Sequence, residues 1–460
     1  MIVLKFGGTS VQDTDAVTRA VQVIRRQLSR GEVVVLSAMG KTTNGLLEMA
    51  RSASSGDIDR AGSIRDGLRD LHLGLARELL SGRRWKSVEA SLSGLFQEMT
   101  DIVQGLYLLG ETSLRSMDRV ASFGERLSTL IFSEVLRENG ISTELVDSRE
   151  LIRTDDQFTR ASVLQELTRS CVRHQLLPRL REGKVIVAPG FIGSTVDGVT
   201  TTIGRGGSDY TASLIGAALD AEDIQIWTDV PGVLTADPRI VPDVYKIRAI
   251  SFAEAAELAY FGAKVLHPST LVPAIDRDIP VHVCNSRQID QPGTFISAAP
   301  VSSSSPIKSI ACKRGITIVN ILSTQMLLSY GFLRRIFEVF EAHETVVDVV
   351  ATSEVNVSLT VDSSQELEAI CSDLAEFGEV RVAPDTAIIC TVGEEVKETP
   401  GIAARIFGAL EGINVQMISQ GASRINMTFL VAEETMEEAV RLLHDEFFRQ
   451  PDPELFERVR

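Results

Sequence analysis

The sequence has little of what is typical of secreted, membrane-bound or nucleic-acid-binding proteins. Its five cysteines are widely spaced and contain no C-x-x-C pair, which argues against a disulfide framework or a zinc site. There is no run of about 18 apolar residues and no charged opening followed by an apolar stretch, so we expect neither a membrane span nor a signal peptide. With 46 basic against 62 acidic side chains, the formal net charge of −16 opposes binding to nucleic acid or anionic lipid. We therefore expect a cytoplasmic protein with reduced thiols.

Several catalytic patterns are also missing. No serine or cysteine has the histidine and acidic partners of a nucleophilic triad, and no histidines have metal-ligand spacing. The segment ending in Lys41 and Thr42 imitates a P-loop, but the earlier glycine that a P-loop requires would fall at Val35. The glycine-rich segment from Gly204 has Asp209 at the last glycine position of a dinucleotide fingerprint, which disfavours hydride transfer. Phosphoryl transfer by positioning and charge neutralisation fits the remaining residues better.

The length and the order of predicted elements indicate more than one domain. A chain of 460 residues exceeds the usual size of a single core. Strand-like runs alternate with helical stretches over the first 300 or so residues, which predicts parallel strands joined by helical crossovers. Turn-rich residues 291–294 and the serines at 302–305 indicate a domain boundary near residue 300.

Beyond this boundary the sequence repeats itself. Gly331 and Arg335 recur seventy positions later as Gly401 and Arg405. In each copy a β-rich run leads to an amphipathic helix, and further strands and a second helix follow, which predicts two β-α-β-β-α-β units. Because each unit is too small to bury much surface alone, we expect it to pair its sheet with the other copy or with another subunit. Dimerisation through this region is therefore predicted.

Polar residues that could bind anions follow the predicted buried strands. Lys5 runs into Gly7 and Gly8, where the lack of a Cβ lets main-chain N–H groups approach an anion and the ammonium can meet phosphoryl oxygens. The eight residues 204–211 contain three glycines, the cation of Arg205 and the anion of Asp209. An arginine there suits a bidentate contact with a carboxylate and suggests an acidic substrate.

Two further segments extend this polar set. Residues 228–239 follow an apolar strand and form a turn-rich loop of a size that suits a nucleotide, although a plain surface turn would explain the same pattern. Residues 261–268 supply a second lysine, Lys264, together with His267, which we interpret as structural. Residues 37–44 add hydroxyl groups after another buried strand, where ligands bind in α/β folds.

Six segments, taken in order, resemble the aspartate kinases of the amino-acid kinase superfamily: 5–10, 37–44, 123–126, 204–212, 228–239 and 261–268. That family also carries tandem ACT domains after its kinase domain, as the repeat does here. The resemblance implies a three-layer α/β/α sandwich over residues 1–300 and ACT domains over 301–385 and 386–460, with the strand near 306–314 assignable to the second of these. We expect no homoserine dehydrogenase extension after Arg460, and on this expectation the chain is similar to the monofunctional, lysine-sensitive members.

The resemblance implies transfer of the γ-phosphate of ATP, with Mg²⁺, to the side-chain carboxylate of L-aspartate. The product, 4-phospho-L-aspartate, leads towards lysine and diaminopimelate, threonine and methionine. Catalytic roles fall on Lys5 and Lys264, which would neutralise phosphoryl oxygens, and on Asp209, which would help to organise the magnesium-nucleotide end. Arg205 would bind a carboxylate of aspartate and Glu125 its amino group, and the implied substrate residues are Thr43, Glu125, Phe191, Arg205 and Ser208. The implied ATP-binding residues are Lys5, Gly7, Gly8, Thr228, Asp229, Leu234, Arg239 and Lys264.

One residue departs from the family pattern, and the first repeat resembles a regulatory pocket. Leu234 stands where many relatives have tyrosine, which puts stacking on the adenine in doubt. The first repeat resembles the effector pocket of the lysine-inhibited members, with Asp348 suited to an amino group and Ser353 to a carboxylate. The implied effector residues are Met326, Phe332, Leu333, Val347, Asp348, Thr352, Ser353 and Glu354.

Two other functions remain open at this point. One is a different amino-acid kinase that acts on glutamate, N-acetylglutamate or a nucleotide, which the tandem repeat and residues 123–126 disfavour. The other is a catalytically silent amino-acid sensor. The intact candidate site argues against it, with Lys5, Glu125, Arg205, Asp209 and Lys264 all present. The prediction is therefore an aspartate kinase that L-lysine inhibits and that assembles through its ACT domains as a homodimer or a dimer of dimers.

Overall fold

The computed structural model describes residues 1–262, 268–299, 305–326, 330–362 and 366–459. The chain forms two compact units. The first contains Met1–Val233 and Val265–Ala299, and the second contains Leu234–Lys264 and Pro300–Arg460. The second unit thus includes a stretch that precedes the boundary predicted near residue 300. The domain limits given above stay predictions.

The strands are short in the first unit and reach 14 residues in the second. In chain order the described strands are β1 (Ile2–Phe6), β2 (Glu32–Leu36), β3 (Thr143–Leu145), β4 (Val185–Pro189), β5 (Ile192–Ser194), β6 (Thr200–Thr202), β7 (Asp223–Thr228), β8 (Tyr245–Ile247), β9 (Ala249–Ser251), β10 (Val281–Asn285), β11 (Thr294–Ser297), β12 (Ser309–Leu322), β13 (Val347–Thr352), β14 (Asn356–Asp362), β15 (Glu379–Val392), β16 (Val415–Ser419), β17 (Asn426–Ala432) and β18 (Phe456–Arg458).

Among the described helices none is both long and apolar enough to cross a membrane. In chain order they are α1 (Thr14–Gln27), α2 (Thr42–Ser54), α3 (Ile58–Leu79), α4 (Gly82–Leu109), α5 (Leu114–Ala121), α6 (Phe123–Glu138), α7 (Ser148–Leu151), α8 (Gln165–Arg181), α9 (Gly207–Leu219), α10 (Phe252–Tyr260), α11 (Pro268–Ile275), α12 (Phe332–Ala342), α13 (Leu367–Leu374), α14 (Ile402–Ala409) and α15 (Met436–Phe448).

The sheet of the first unit is largely parallel. Its strands follow the order β3-β4-β2-β1-β7-β10-β11, and only the pair of β10 and β11 is antiparallel. The central strands are buried along their whole length because helices cover both faces. Leu4 packs in the core with α1 and α6, whereas Val3 faces Gly216 of α9 on the opposite side. The predicted α/β fold is confirmed, and the carboxyl ends of its parallel strands meet at one edge.

The sheet of the second unit combines both copies of the repeat. Its strands follow the order β13-β14-β12-β15-β17-β16, with antiparallel neighbours. The long strands β12 and β15 pair at the centre, where Ile321 lies opposite Val380 and Ala311 opposite Cys390. The first copy runs β12-α12-β13-β14-α13-β15, as predicted. The second copy lacks a strand after α15 in this sheet, and the first part of β12 takes that place.

The segment Leu234–Lys264 is attached to the C-terminal end of the second unit. Strand β8 pairs with β18 in antiparallel fashion. The Oγ1 of Thr235 lies 3.0 Å from Nε2 of His444 in α15, and Nε of Arg441 donates to the carbonyl of Ile240 at 3.0 Å. The C-terminal helix and strand therefore hold this segment in place.

A buried ion pair fixes α10 within the second unit. The helix begins with a capping box, in which Ser251 and Glu254 each bind the other's main-chain N–H. The Nζ of Lys308 lies 2.9 Å from Oε1 of Glu254, and the two side chains are only 1% and 2% exposed. Loss of one partner would leave the other charge buried without compensation.

We predict that Lys308→Met lowers the free energy of unfolding by about 3–5 kcal/mol, the usual effect of breaking a buried pair. Urea denaturation followed by circular dichroism measures this. The control is Arg334→Met, which removes an exposed pair with Glu338 on α12 and should change stability by about 0.5 kcal/mol or less. The double variant Lys308→Met with Glu254→Gln should recover part of the loss. Equal effects of the two single variants would contradict the prediction.

Candidate active site

The loops that follow β1, β2 and β4 lie against one another at the carboxyl edge of the first sheet. The N–H of Ser37 donates to the carbonyl of Phe6 at 3.1 Å, and that of Gly40 donates to the carbonyl of Gly8 at 3.0 Å. A Cβ at Gly8 would lie 2.7 Å from the carbonyl oxygen of Ala38, so only glycine allows this approach. Gly8 thus permits close packing of main chains, whereas a Cβ at Gly7 would meet no atom closer than 3.6 Å.

A cavity of about 320 Å³ opens at this edge. It brings together side chains and main-chain groups from β1, α6, the loops after β2 and β4, and the start of α9. Its lining residues are Lys5, Gly8, Ser37, Ala38, Gly40, Thr43, Glu125, Phe191, Gly204, Arg205, Gly206, Gly207, Ser208 and Asp209. All five residues that the sequence analysis assigned to the substrate lie here, together with Lys5, Gly8 and Asp209.

Lys5 and Asp209 form an ion pair in this cavity. The Nζ of Lys5 lies 2.6 Å from Oδ1 of Asp209, and the side chains are 10% and 15% exposed. Asp209 occupies the first turn of α9, where the positive end of the helix dipole favours an anion. A cation and a helix N-terminus therefore meet at one point, which is an arrangement suited to phosphoryl oxygens.

Glu125 lies at the start of α6 and has one unsatisfied oxygen. The N–H of Ala38 donates to its Oε1 at 3.1 Å, and among the described residues Oε2 has no hydrogen-bond partner. Burial raises the pKa of Glu125 to about 8, although the bond from Ala38 and the charge of Lys5 act in the opposite direction. Gly124 permits the approach, since a Cβ there would lie 2.6 Å from that of Ala38. A ligand ammonium would supply the missing donor.

The loop with Arg205 is shaped by left-handed glycines. Gly204 has φ +78° and Gly206 has φ +68°, and α9 begins directly afterwards. Arg205 is exposed and has no ion pair among the described residues.

A Cβ at Gly190 would lie 2.6 Å from that of Ser208, so the end of β4 contacts the start of α9. Phe191 adopts φ +66°, and its N–H donates to Oγ1 of Thr211 at 3.1 Å.

The residues assigned to ATP fall into both units. Strand β7 lies next to β1, and the N–H of Gly7 donates to the carbonyl of Trp227 at 3.0 Å, so Thr228 and Asp229 follow at the same edge. Leu234 and Arg239 belong to the second unit, where the guanidinium of Arg239 lies 2.5 Å from Asp237. Lys264 and His267 lie outside the described residues.

The residues assigned to the effector differ in their burial and in the contacts that they already make. Asp348 already accepts a hydrogen bond from the Tyr260 hydroxyl at 2.7 Å and pairs with Lys313 at 3.3 Å. Burial and the Asp348 charge raise the pKa of Tyr260. Phe332 is buried in the core of the first repeat, where Met326 packs against the same cluster, and Val347 also contacts it.

The remaining effector residues are accessible. Leu333 is exposed, and so are Thr352 at the end of β13 and the turn residues Ser353 and Glu354. The Oγ of Ser353 accepts from the N–H of Asn356 at 3.1 Å and so shapes this turn.

Sequence reasoning missed some groups that the structure brings to these sites. Ala38 contributes a main-chain N–H to Glu125, and no side-chain pattern signals that role. Tyr260 and Lys313 reach Asp348 from 88 and 35 positions away. Contacts between segments that are distant in the sequence do not produce a local pattern of residues.

The chain is similar to known proteins over nearly its whole length. Residues 1–285 match the amino acid kinase family and residues 389–447 match the ACT domain. The lysine-sensitive aspartokinase 3 of Escherichia coli strain K12 is 38% identical, over 97% of this chain and 99% of that protein. The crystal structure of E. coli aspartokinase III in complex with aspartate and ADP (R-state) has a TM-score of 0.86 at 37% identity, covering 97% of this chain and 100% of that one. Its complex with lysine and aspartate (T-state) has a TM-score of 0.79 at 38% identity, covering 97% and 99%.

The pKa of Glu125 predicts how stability depends on pH. Between its ordinary value of 4.5 and the folded-state value of about 8, the folded protein holds a proton that the unfolded chain releases. The wild type should therefore lose stability as the pH rises through this window, relative to Glu125→Gln, by at most about 1.4 kcal/mol per pH unit. Urea denaturation of both proteins between pH 5 and pH 9 measures the difference. Parallel stability curves across the window would contradict the assignment.

Proposed function

This chain belongs to the aspartokinases, within the amino acid kinase family, and on that premise we propose that it transfers the γ-phosphate of ATP to the side-chain carboxylate of L-aspartate. The product is 4-phospho-L-aspartate, which supplies the routes to lysine, threonine and methionine. The observation that carries the proposal is the cavity at the carboxyl edge of the sheet. It combines the Glu125 oxygen that lacks a hydrogen-bond partner among the described residues, the exposed guanidinium of Arg205 and the Lys5–Asp209 pair.

Complementary charges explain how aspartate would bind. Glu125 accepts the α-ammonium, which also favours the ionised form of this buried carboxyl group. Arg205 binds one carboxylate in bidentate fashion. Ser208 offers N–H and hydroxyl donors at the start of α9, and Thr43 and Phe191 line the rest of the cavity. This arrangement leaves the side-chain carboxylate to act as the nucleophile.

Charge neutralisation explains the transfer step. The carboxylate of aspartate attacks the γ-phosphorus in line while the bond to the leaving ADP oxygen breaks, so no protein nucleophile is needed. The ammonium of Lys5 neutralises phosphoryl oxygens, and Lys264 is proposed as the second cation. Gly7, Gly8 and the Thr228–Asp229 pair would support the nucleotide at the same edge. Leu234 and Arg239 are assigned to the nucleotide by the family resemblance alone.

Magnesium fits this cavity as a partner of the nucleotide. The described residues contain no group of three or more histidine, cysteine or carboxylate side chains that could hold a metal ion. Mg²⁺ commonly needs only one or two carboxylates besides substrate phosphates, and Asp209 is suitably located to be one of them. When bound, the ion would supply further neutralisation of phosphate charge.

The test is formation of an acyl phosphate from aspartate, ATP and Mg²⁺, trapped as its hydroxamate. Parallel reactions contain glutamate or N-acetylglutamate in place of aspartate. Product that forms fastest with aspartate supports the proposal. Product that forms faster with another acceptor indicates a different amino-acid kinase, and no product with any acceptor indicates a silent sensor.

We predict that Lys5→Met lowers kcat by about 10²–10³-fold, because its charge acts mainly on the transition state. The KM for aspartate should change little. Lys184→Met, which removes an accessible pair with Glu144 in the same unit, is the matched control and should keep wild-type kinetics. An unchanged kcat with a raised KM in Lys5→Met would contradict the proposed role.

We also propose that L-lysine inhibits the enzyme by binding at the first repeat. The carboxylate of Asp348 is the group that would bind its amino end, and Ser353 would help to bind its carboxylate. In this structure the chain's own Lys313 and Tyr260 occupy Asp348. A lysine ligand would therefore compete with these two groups. The strand registers match Val347 with Val415, so the residue of the second repeat that corresponds to Asp348 is Gln416. Gln416 carries no charge, which argues against an equivalent ammonium site there.

This competition predicts opposite effects of two substitutions. Asp348→Ala should raise the lysine concentration for half inhibition at least about tenfold, since a charged hydrogen bond is lost. Tyr260→Phe removes a competitor and should lower that concentration by about threefold. Ser353→Ala and its counterpart Ser423→Ala in the second repeat form a control pair, and only the first should weaken inhibition. Full inhibition of Asp348→Ala would refute the pocket assignment.

Assembly through the ACT region is proposed as well. Strands β13 and β16 end the strand order of the six-stranded sheet and contact each other, and Val346, Val350 and Ile418 on or beside them are exposed. Exposed apolar side chains that lie together favour contact with another chain. A homodimer or a dimer of dimers, in a reducing compartment such as the cytoplasm, fits these features. Light scattering with and without lysine would measure the assembly state.

A further inference from the structure

Asp118 is a buried carboxylate outside the cavity that accepts hydrogen bonds from two separate loops. Its side chain lies on α5 and the residue is only 1% exposed. Oδ2 accepts from the N–H of Thr159 and from the N–H of Thr202, both at 2.9 Å, and Oδ1 accepts from the Thr202 hydroxyl at 2.6 Å. No cation pairs with it in the part of the chain that the structure describes. Hydrogen bonds from neutral donors alone compensate its buried charge.

The donors of Asp118 lie at the base of the loop with Arg205. Thr202 is the last residue of β6, three positions before Arg205. The N–H of Ala161 donates to the carbonyl of Thr202 at 3.0 Å, so the Thr159 loop and β6 are joined directly. A Cβ at Gly204 would lie 3.8 Å from the carbonyl oxygen of Thr159, which shows that the loop continues along this support.

Asp118 also lies at the base of the element with Glu125. Its own carbonyl accepts from the N–H of Ser122 at 3.0 Å, and α6 begins at the next residue, Phe123. Glu125 is in the first turn of α6. Asp118 is therefore the point where the helix of the acidic group and the loop of the basic group are tied together.

We propose that Asp118 is a positioning residue that fixes the separation between the Glu125 carboxylate and the Arg205 guanidinium. The proposal rests on the proposed aspartate kinase activity. An amino-acid substrate has its ammonium and carboxylates at separations set by its carbon skeleton. Two charged groups of the protein must match that separation, and a small misplacement greatly weakens binding or reaction. Asp118 thereby contributes to the preference for aspartate over glutamate, which is one methylene longer.

The experiment compares steady-state kinetics of the full-length wild type, Asp118→Asn and Thr202→Val. Asp118→Asn should raise the KM for aspartate by about tenfold and lower the ratio of kcat/KM for aspartate over glutamate, because the loop with Arg205 is less fixed. The KM for ATP should stay within about twofold, since none of the residues assigned to ATP lies on α6 or on the loop with Arg205 that Asp118 joins. Thr202→Val removes one donor, keeps the carboxylate and should shift the same parameters less. In the double variant the effects should be less than additive because both act on one contact.

A matched control separates positioning from general destabilisation. Asp223 is likewise a buried carboxylate of the first unit, and it pairs with His282 at 2.6 Å. It begins β7 and so lies at the opposite edge of the sheet. Asp223→Asn should lower thermal stability and leave the KM for aspartate unchanged.

The possible results distinguish failure of the proposed kinase activity from failure of the proposed role of Asp118. If the wild type forms no acyl phosphate from aspartate, the proposed function fails and this inference fails with it. If the wild type is active but Asp118→Asn loses only stability, as Asp223→Asn does, Asp118 is merely structural and the inference alone is overturned. If Asp118→Asn does not fold, Thr202→Val decides, because an unchanged KM for aspartate in that variant overturns the proposal.

Discussion

The loops at the carboxyl edge of the first sheet can approach one another only because glycine stands at the contacts. Gly8 faces the carbonyl of Ala38, Gly124 faces its methyl group, and Gly190 faces Ser208. At each of these positions a Cβ would lie less than 3 Å from its neighbour. The rest of the site depends on this close packing, since it sets how far apart the charged side chains lie.

Burial determines which charged side chains of the cavity need a partner and how far their pKa values shift. Lys5 and Asp209 compensate each other, whereas Glu125 has only a main-chain N–H and a raised pKa. A cavity with an unfilled acceptor and an exposed arginine is suited to a ligand that carries both charges. In such surroundings electrostatic interactions are stronger than in water, so a few well-placed groups suffice for phosphoryl transfer.

The path of the chain also bears on regulation. The segment Leu234–Lys264 contains residues assigned to the nucleotide, yet it belongs to the same compact unit as the ACT repeats. Within that unit Tyr260, at the end of α10, binds Asp348 of the first repeat. A ligand at the proposed lysine site would compete with the Tyr260 hydroxyl for Asp348. Differential binding of this kind is what allosteric coupling requires.

The sequence by itself determined the fold class, the repeat and the polar segments, because these are recorded locally in apolar alternation, in glycines next to charged residues and in a fixed interval. It also named Lys5, Glu125, Arg205 and Asp209, and the structure brings them into one cavity. Only the tertiary structure decided which charged side chains have hydrogen-bond or ion-pair partners among the described residues and which atoms lack them. Asp348 has two partners, Glu125 has an open oxygen, and Asp118 joins two loops. The partners and the burial of these groups depend on segments that are distant in the sequence. A local spacing of residues therefore does not predict them.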